Sequence, residues 1–198
     1  RGINRHDSNP VTGHAVTLDD MIEDIMLIKR ANCNMIRTSH YPNDPRFPAL
    51  CDKYGIMLTD EADIETHGMG YDWEGEWDWT RWSHLSSAPE WREAYVDRAK
   101  RLFERDKNHG CVMLWSLGNE SGNGNAFAEM KKEILKIDKT RPVHYEPDAK
   151  LKTSDLFSEM YTVQTAMKEI GENKPHIHSR ALWNLGLGYH LKPSDYID

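Results

Sequence analysis

The stretch "GIMLTDEADIETHG", residues 55–68, joins an apolar run to a cluster of acidic residues and a histidine. Its apolar beginning favours a buried strand, so the acids that follow lie at the C-terminal end of that strand. Glu65 and His67 are two positions apart, and in extended backbone their side chains point the same way. Such a pair can offer an oxygen and an imidazole nitrogen to a divalent ion, although a solvated loop with a capping acid is the commoner meaning of the pattern.

Similar apolar or β-branched runs alternate with helical patterns along the chain, which predicts a parallel sheet covered by helices. The predicted strands are residues 2–7, 34–40, 55–63, 111–118, 141–146, 155–161 and 174–181. Polar residues fall at or just past the strand ends, namely His6, His40, Glu61, Glu65, Glu120 and Tyr161. In a (β/α)8 barrel that end of the strands carries the functional site.

The predicted fold class is therefore α/β, an incomplete (β/α)8 TIM barrel. A typical barrel needs about 250 residues, whereas this chain has 198. The patterns account for about seven strands, and the closing strand is missing. No GxGxxG motif follows the first strand, which argues against a dinucleotide-binding fold.

Helix caps and apolar stripes predict where three helices lie. Thr17 and Asp20 suggest the N-cap of a helix whose apolar stripe consists of Leu18, Met21, Ile22, Ile25 and Ile28. A capping box formed by Ser87 and Glu90 predicts the start of a long helix. The predicted buried face of that helix consists of Trp91, Tyr95, Leu102 and Phe103. The third helix is predicted over residues 127–137, with an apolar stripe at Phe127, Met130, Ile134 and Ile137.

Composition excludes several classes of protein. The formal net charge of −7 leaves no basic footprint for nucleic acid. No apolar run approaches the roughly 20 residues of a membrane helix. The three cysteines fit neither a disulfide framework nor a metal motif, so we expect buried free thiols and a cytoplasmic location. Because the chain begins without Met, we expect it to be cut from a longer protein.

A second carboxylate follows an apolar run in "WSLGNESG", residues 115–122. Position alone makes Glu120 an ion-pair partner, a metal ligand or a general acid. The nearby stretch "YDWEGEWDWTRW", residues 71–82, holds four of the seven tryptophans. Tryptophan faces suit sugar stacking, but packing against another domain or subunit is the favoured interpretation.

Five segments, in order and at suitable spacing, resemble the central barrel of the large bacterial β-galactosidases of glycoside hydrolase family 2. They are "RGINRHD", "NMIRTSHYPNDPRFPALCDKYGIMLTDEADIETHG", "RDKNHGCVMLWSLGNESGNG", "KTRPVHYEP" and "MY". The resemblance runs from residue 1 to about residue 161, with a variable patch near residues 69–90. It implies a retaining glycosidase that cleaves terminal β-D-galactosides such as lactose, in a parent protein that relatives suggest is a homo-oligomer.

The resemblance also implies roles for individual residues. Glu120 matches the general acid/base, and Glu65, His67 and Glu120 match the ligands of an active-site Mg2+, with Na+ also expected in the intact enzyme. The residues that match the lining of the galactose pocket or its edge are His6, His40, Asn119 and Tyr161.

The C-terminal part departs from the family pattern, so we divide the chain into a catalytic barrel segment, residues 1–173, and an uncertain seventh-strand region, residues 174–198. A retaining glycosidase needs a second carboxylate as nucleophile, about 5–5.5 Å from the first. Counting from Lys174 places it at Arg180, and counting back from Asn184 places it at Ile177. Neither side chain can attack an anomeric carbon.

Three explanations remain for this departure: a truncated chain, an unreliable sequence near its end, or a pseudo-enzyme. The first two are favoured because the acid/base and metal positions are intact. The alternatives to the β-galactosidase interpretation are an inactive carbohydrate-binding or truncated relative that lacks the nucleophile, or a family-2 β-glucuronidase or β-mannosidase. The chain as written is expected to be inactive alone.

Overall fold

The computed structural model describes residues 1–148, 151–156, 158, 160 and 168, and within them the chain forms one parallel sheet. The five strands are β1 (Gly2–Arg5), β2 (Met35–Thr38), β3 (Met57–Glu61), β4 (Val112–Ser116) and β5 (Val143–His144). They lie in the order β1-β2-β3-β4-β5, each parallel to the next. Sequential parallel strands with helical crossovers are the arrangement of a TIM barrel, here in an open sheet, which confirms the predicted fold class.

Among the residues that the structure describes, six α-helices connect or flank these strands. They are α1 (Leu18–Arg30), α2 (Phe47–Tyr54), α3 (Trp79–Trp82), α4 (His84–Ser87), α5 (Arg92–Asp106) and α6 (Ala126–Leu135). Thr17 caps α1 as predicted, because its side chain accepts from the Asp20 backbone N–H while the Asp20 carboxylate accepts from the Thr17 backbone N–H. No helix of the described residues is both long and apolar enough to cross a membrane.

The sequence predictions for all three helices need correction. In α1, Leu18 of the predicted apolar stripe is 43% exposed. Ser87 and Glu90 do not form a capping box: Pro89–Trp91 is a 3-10 turn, and α5 starts after it without a side-chain cap. Trp91 is 46% exposed and therefore does not belong to the buried face of α5, although Tyr95, Leu102 and Phe103 do. Ile137 follows the end of α6 and is 61% exposed.

The two faces of the sheet have different chemistry, because successive side chains of a strand point to opposite faces. Trp115 and Val143 are paired in register, and they belong to the apolar core to which the helices also contribute side chains. The next residues along the strands, Ser116 and His144, are also paired, and Glu61 pairs with Ser116. On the other face Ser116 hydrogen-bonds to both Glu61 and His144, and all three side chains are buried. The interior of the partial barrel is therefore polar near its C-terminal end.

Three sequence predictions concern the later part of the chain. For the strand predicted over residues 155–161, Asp155 and Leu156 lie in a bend, and most of the rest lies outside the described residues. Tyr161 and the whole region 174–198, with its predicted strand and the nucleophile positions, also lie outside them. The three cysteines are free thiols as predicted, but only Cys51 and Cys111 are buried, whereas Cys33 is half-buried. Burial raises the pKa of the Cys51 thiol to about 12.

Candidate active site

The ends of the parallel strands bring the predicted site residues to one edge of the sheet. His6 directly follows β1, and His40 follows β2 by two residues. Glu65 and His67 follow β3, while Asn119 and Glu120 follow β4. The pairing of β3 with β4 continues past the strands, since Glu65 and Asn119 form a parallel bridge and the Asn119 backbone N–H donates to the Ile64 carbonyl at 2.8 Å. Residues 54 positions apart in sequence thereby become neighbours.

The side chain of Asn119 links Glu65 to Glu120, and His67 lies beside both carboxylates. The Asn119 amide Nδ2 donates to Glu65 Oε2 at 2.6 Å and to Glu120 Oε2 at 3.2 Å. The backbone N–H of His67 donates to Glu65 Oε1 at 3.3 Å, and His67 Nε2 lies 3.8 Å from Glu120 Oε1. Two carboxylates and one imidazole therefore lie close together at this edge of the sheet.

The electrostatics of this cluster favour positive charge. Although Glu65 keeps a solvent-exposed surface, withdrawal of its carboxyl from water raises its pKa, and the nearby charge of Glu120 acts in the same direction. Burial likewise raises the pKa of Glu146, again with a contribution from Glu120. Within the described residues, no group of three or more His, Cys, Asp or Glu side chains is already arranged to hold a metal ion. The donor types nevertheless suit a hard cation. A cation would offset the repulsion between the two carboxylates that share the Asn119 amide.

The two histidines of the predicted sugar pocket lie beside each other. The ring centroids of His6 and His40 are 5.6 Å apart and nearly perpendicular. His40 Nδ1 lies 2.8 Å from Glu61 Oε1, which fixes the orientation of its ring. Burial lowers the pKa of His6, and the neighbouring His40 and His14 lower it further. His6 therefore presents a neutral imidazole at neutral pH.

Sequence reasoning did not find the buried ion pair below these residues. Arg37 donates to both carboxylate oxygens of Glu61, at 2.6 and 3.0 Å, and to the Asn119 side-chain oxygen at 2.9 Å. Ser116 Oγ also donates to Glu61, at 2.5 Å. Burial alone would raise the pKa of Glu61, but Arg37 and the hydrogen bonds from His40, Arg37 and Ser116 lower it to about 2. The sequence signal that could have indicated this ion pair is one charged residue near the C-terminal end of each of two consecutive predicted strands.

The Arg37–Glu61 pair explains why Asn119 is well placed. Its side-chain oxygen accepts from Arg37, so its amide nitrogen must face the carboxylates of Glu65 and Glu120. Asn119 is fully buried, as is Glu61, and neither can turn without losing several hydrogen bonds. A buried polar network thus orients the residues at the sheet edge.

Glu120 itself has a backbone φ of 33°, in the left-handed region. This conformation costs a residue other than glycine about 1–3 kcal/mol, so surrounding contacts must hold it. The Glu120 backbone N–H donates to the Glu146 carbonyl at 3.1 Å, and Trp82 Nε1 donates to the Glu120 carbonyl at 2.7 Å. Both peptide groups next to Cα are fixed.

The tryptophan-rich stretch packs against this edge of the sheet within the chain itself. The Trp77 ring centroid lies 5.0 Å from that of His67, and Trp77 also contacts Trp79 and Trp82. Trp73 and Trp79 are 97% and 68% exposed, so only part of the stretch is buried here. Packing of this stretch against another domain or subunit stays a prediction, and the stretch also packs beside His67 and Glu120 within the chain.

Comparison with known proteins identifies relatives of this fold and this sequence. The family described as "Glycosyl hydrolases family 2, TIM barrel domain" matches residues 1–182. A β-galactosidase of Vibrio vulnificus (strain YJ016) is 46% identical over 162 residues, which is 81% of this chain and 15% of that protein. A β-galactosidase of Streptococcus thermophilus is 43% identical over 180 residues, 85% of this chain and 17% of that protein.

A solved structure of a β-glucuronidase from an uncultured Clostridium species superposes with a TM-score of 0.61. The two sequences are 25% identical, and the superposition covers 79% of this chain and 28% of the β-glucuronidase chain. The chain thus spans about a sixth of the two β-galactosidases and under a third of this β-glucuronidase.

Proposed function

This chain belongs to the TIM-barrel domain of glycosyl hydrolases family 2, and we propose that the protein containing it cleaves terminal β-D-galactosides such as lactose. The observation that carries the proposal is the position of Glu120. Its carboxylate lies at the C-terminal edge of a parallel sheet, 26% exposed and next to Asn119 and His67. The identity of 46% to a β-galactosidase supports the choice of galactose among the sugars that such a site can take.

In the proposed reaction Glu120 is the general acid and then the general base. It gives a proton to the departing glycosidic oxygen while a second carboxylate attacks the anomeric carbon from the opposite face. Water, deprotonated by Glu120, then releases the sugar with retained configuration. We propose that the nucleophile is a Glu on the seventh strand of the parent protein, which residues 174–198 do not supply.

The sugar-binding residues are proposed to be His6, His40, Asn119 and Tyr161. His40 is held by Glu61, and Asn119 by Arg37, so each presents a fixed polar group at the edge of the sheet. A neutral His6 can both donate to and accept from sugar hydroxyls. Tyr161 lies outside the described residues, and its role rests on sequence resemblance alone.

We propose that Glu65, His67 and Glu120 hold Mg2+. When bound, this ion supplies positive charge that offsets the crowded carboxylates beside the departing oxygen. The proposal is supported by the shared Asn119 donor, which brings Glu65 and Glu120 together, and by the 3.8 Å between His67 Nε2 and Glu120 Oε1. Asn119 keeps both carboxylates within reach of the ion through its own hydrogen bonds.

A family-2 β-glucuronidase or β-mannosidase is the alternative, and the charge of the site argues against the first. A glucuronide adds a carboxylate, and the described edge already holds Glu61, Glu65, Glu120 and Glu146. Arg37, the arginine in contact with this cluster, is occupied by Glu61 and Asn119. A neutral galactoside avoids that repulsion.

The test is to express the full-length protein and measure kcat/KM on 4-nitrophenyl β-galactoside, β-glucuronide and β-mannoside. We expect the β-galactoside to be the best substrate, with β-galactose as the first product seen by NMR. A preference for the β-glucuronide would support the alternative. Absence of turnover on all three, by a folded protein with Mg2+ present, would favour a binding protein without catalytic activity.

A further inference from the structure

The segment 79–87, here called the clamp segment, touches the loop 119–124, here called the acid loop, at three hydrogen bonds. Trp82 Nε1 donates to the Glu120 carbonyl at 2.7 Å. The backbone N–H of Asn123 donates to Ser83 Oγ at 3.3 Å, and that of Gly124 donates to Ser86 Oγ at 3.1 Å. Three residues on one short stretch therefore hold three positions of the loop that carries Glu120.

The backbones of the two segments approach each other so closely that side chains are excluded. A Cβ atom on Gly122 would lie 2.4 Å from Ser83 Cα, and one on Gly124 would lie 2.0 Å from the Ser86 carbonyl carbon. Gly122 also has a φ of 72°, which favours glycine. The glycines of "NESGNG" thus leave room for the backbone of the clamp segment, which any larger residue at positions 122 and 124 would displace.

The clamp segment is itself well fixed. Asp78 caps α3 by accepting from the Thr80 backbone N–H at 2.8 Å. Trp82 is 93% buried, and its ring packs at centroid distances of 5.4 Å against both Trp77 and Trp79. The indole therefore cannot rotate freely, and its N–H points at a defined place.

We propose that Trp82 is a positioning residue for the general acid, acting through the backbone carbonyl of Glu120; this rests on the proposed role of Glu120. Glu120 adopts an unfavourable left-handed φ, and the Trp82 hydrogen bond fixes the peptide group on its C-terminal side. Without that donor the carbonyl has no partner from the clamp segment, and residue 120 can relax toward a commoner conformation. The carboxyl would then move away from the line of proton transfer.

The reaction gives this proposal a distinctive signature. In the first step the proton passes from Glu120 to the glycosidic oxygen as the bond from that oxygen to the anomeric carbon breaks and the nucleophile carboxylate forms its own bond to that carbon. A basic leaving group such as the glucose of lactose needs the proton, whereas 2,4-dinitrophenolate leaves without it. A misplaced acid therefore slows the first substrate much more than the second.

The experiment compares Trp82→Phe with the wild-type full-length protein on lactose and on 2,4-dinitrophenyl β-galactoside. Phenylalanine keeps an aromatic ring for packing and removes the N–H donor. We expect kcat/KM on lactose to fall by about 10- to 100-fold, and that on the dinitrophenyl substrate by about threefold or less. Trp73→Phe, at a position 97% exposed, is the matched control and should change neither value.

Ser86→Ala provides a second variant at another contact of the same clamp, should Trp82→Phe be poorly folded as judged by its thermal midpoint. It should shift the two substrates in the same direction with a smaller difference. Equal losses on both substrates, or no loss on lactose by folded variants, would overturn the positioning role. Failure of the proposed function itself would be seen separately, as absence of turnover by the wild-type protein.

Discussion

At the scale of single residues, the buried charges of the site are stabilised by ion pairs and hydrogen bonds with neighbouring side chains. Glu61 is fully buried and is held by Arg37, His40 and Ser116. His144, on the same face, is neutral because burial, together with the charge of Arg37, lowers its pKa to about 3. The Arg37–Glu61 ion pair and its neighbours lie below the more exposed Glu65 and Glu120 and keep this part of the site rigid.

The depressed pKa of Glu61 predicts a pH dependence of stability. Its folded-state pKa of about 2 lies below the unfolded value of about 4.3, so the contribution is complete above about pH 4.5 and is lost as pH falls toward 2. The full contribution is about 3 kcal/mol, of which about 2 kcal/mol is lost by pH 3. Urea titrations at pH 6 and pH 3 should show a drop about 2 kcal/mol larger for wild type than for Glu61→Gln.

Glu104→Gln is the control for that comparison, because Glu104 is an exposed residue on α5. It should keep the pH dependence of the wild-type protein. An equal drop in wild type and Glu61→Gln would show that Glu61 is not the group whose protonation is linked to folding.

Part of this residue-level picture could be predicted from sequence. His6, His40, Glu65 and Glu120 each lie at or just past the end of a predicted strand, and parallel strands bring their ends together. Glu61 could be placed at the end of its predicted strand, but its pairing with Arg37 was not predicted, because a charged residue in a short strand usually means a solvent-facing position. Only the barrel geometry turns that face inward, where the two charges must pair.

At the scale of elements, helix α1 shows how far local signals determine structure. Its capping box and stripe predict its start, and the helix begins at Leu18 as the pattern requires. The Ser87–Glu90 pattern failed because Pro89 and a 3-10 turn intervene before α5. A cap motif has predictive value when regular helix follows it directly, and a turn in between removes that value.

The apolar stripe of α1 predicts a difference between two neighbouring residues of similar size. Ile25 is fully buried, whereas Leu27 is 52% exposed on the same helix. Ile25→Ala should lower the free energy of unfolding by about 2–5 kcal/mol, because it leaves a cavity. Leu27→Ala should change it by only about 0.5 kcal/mol or less, since most of that side chain is in water. Urea unfolding followed by tryptophan fluorescence measures both, and similar losses would mean that α1 packs by another face.

At the scale of the whole molecule, the described part of the chain supplies five parallel strands on one side of a barrel and the residues at its C-terminal rim. The sequence predicted the parallel sheet and its rim because strand and helix patterns alternate regularly. It could not predict the contact between the clamp segment and the acid loop. That contact joins residues about 38 positions apart and depends on the close approach of two irregular stretches of backbone. Irregular segments of this kind carry no periodic signal.

The proposed Mg2+ site makes a prediction for the intact protein. Removing divalent ions with EDTA should lower kcat/KM on lactose, and adding Mg2+ should restore it, because Glu65 and Glu120 then regain their shared counter-charge. Mg2+ should also raise the thermal midpoint, since an ion that binds the folded state stabilises it. Glu65→Gln should weaken both effects. Full activity in EDTA, with no thermal shift on adding Mg2+, would contradict the site.

The most direct test of Glu120 as the acid/base is the rescue of Glu120→Ala in the full-length protein by azide. With 2,4-dinitrophenyl β-galactoside the first step needs no acid, so the covalent galactosyl enzyme forms and its breakdown becomes slow. Azide needs no general base and enters from the face that water normally uses, so we predict faster turnover with β-galactosyl azide as product. Formation of α-galactosyl azide would make Glu120 the nucleophile instead, and a variant as active on lactose as wild type would remove Glu120 from the chemistry.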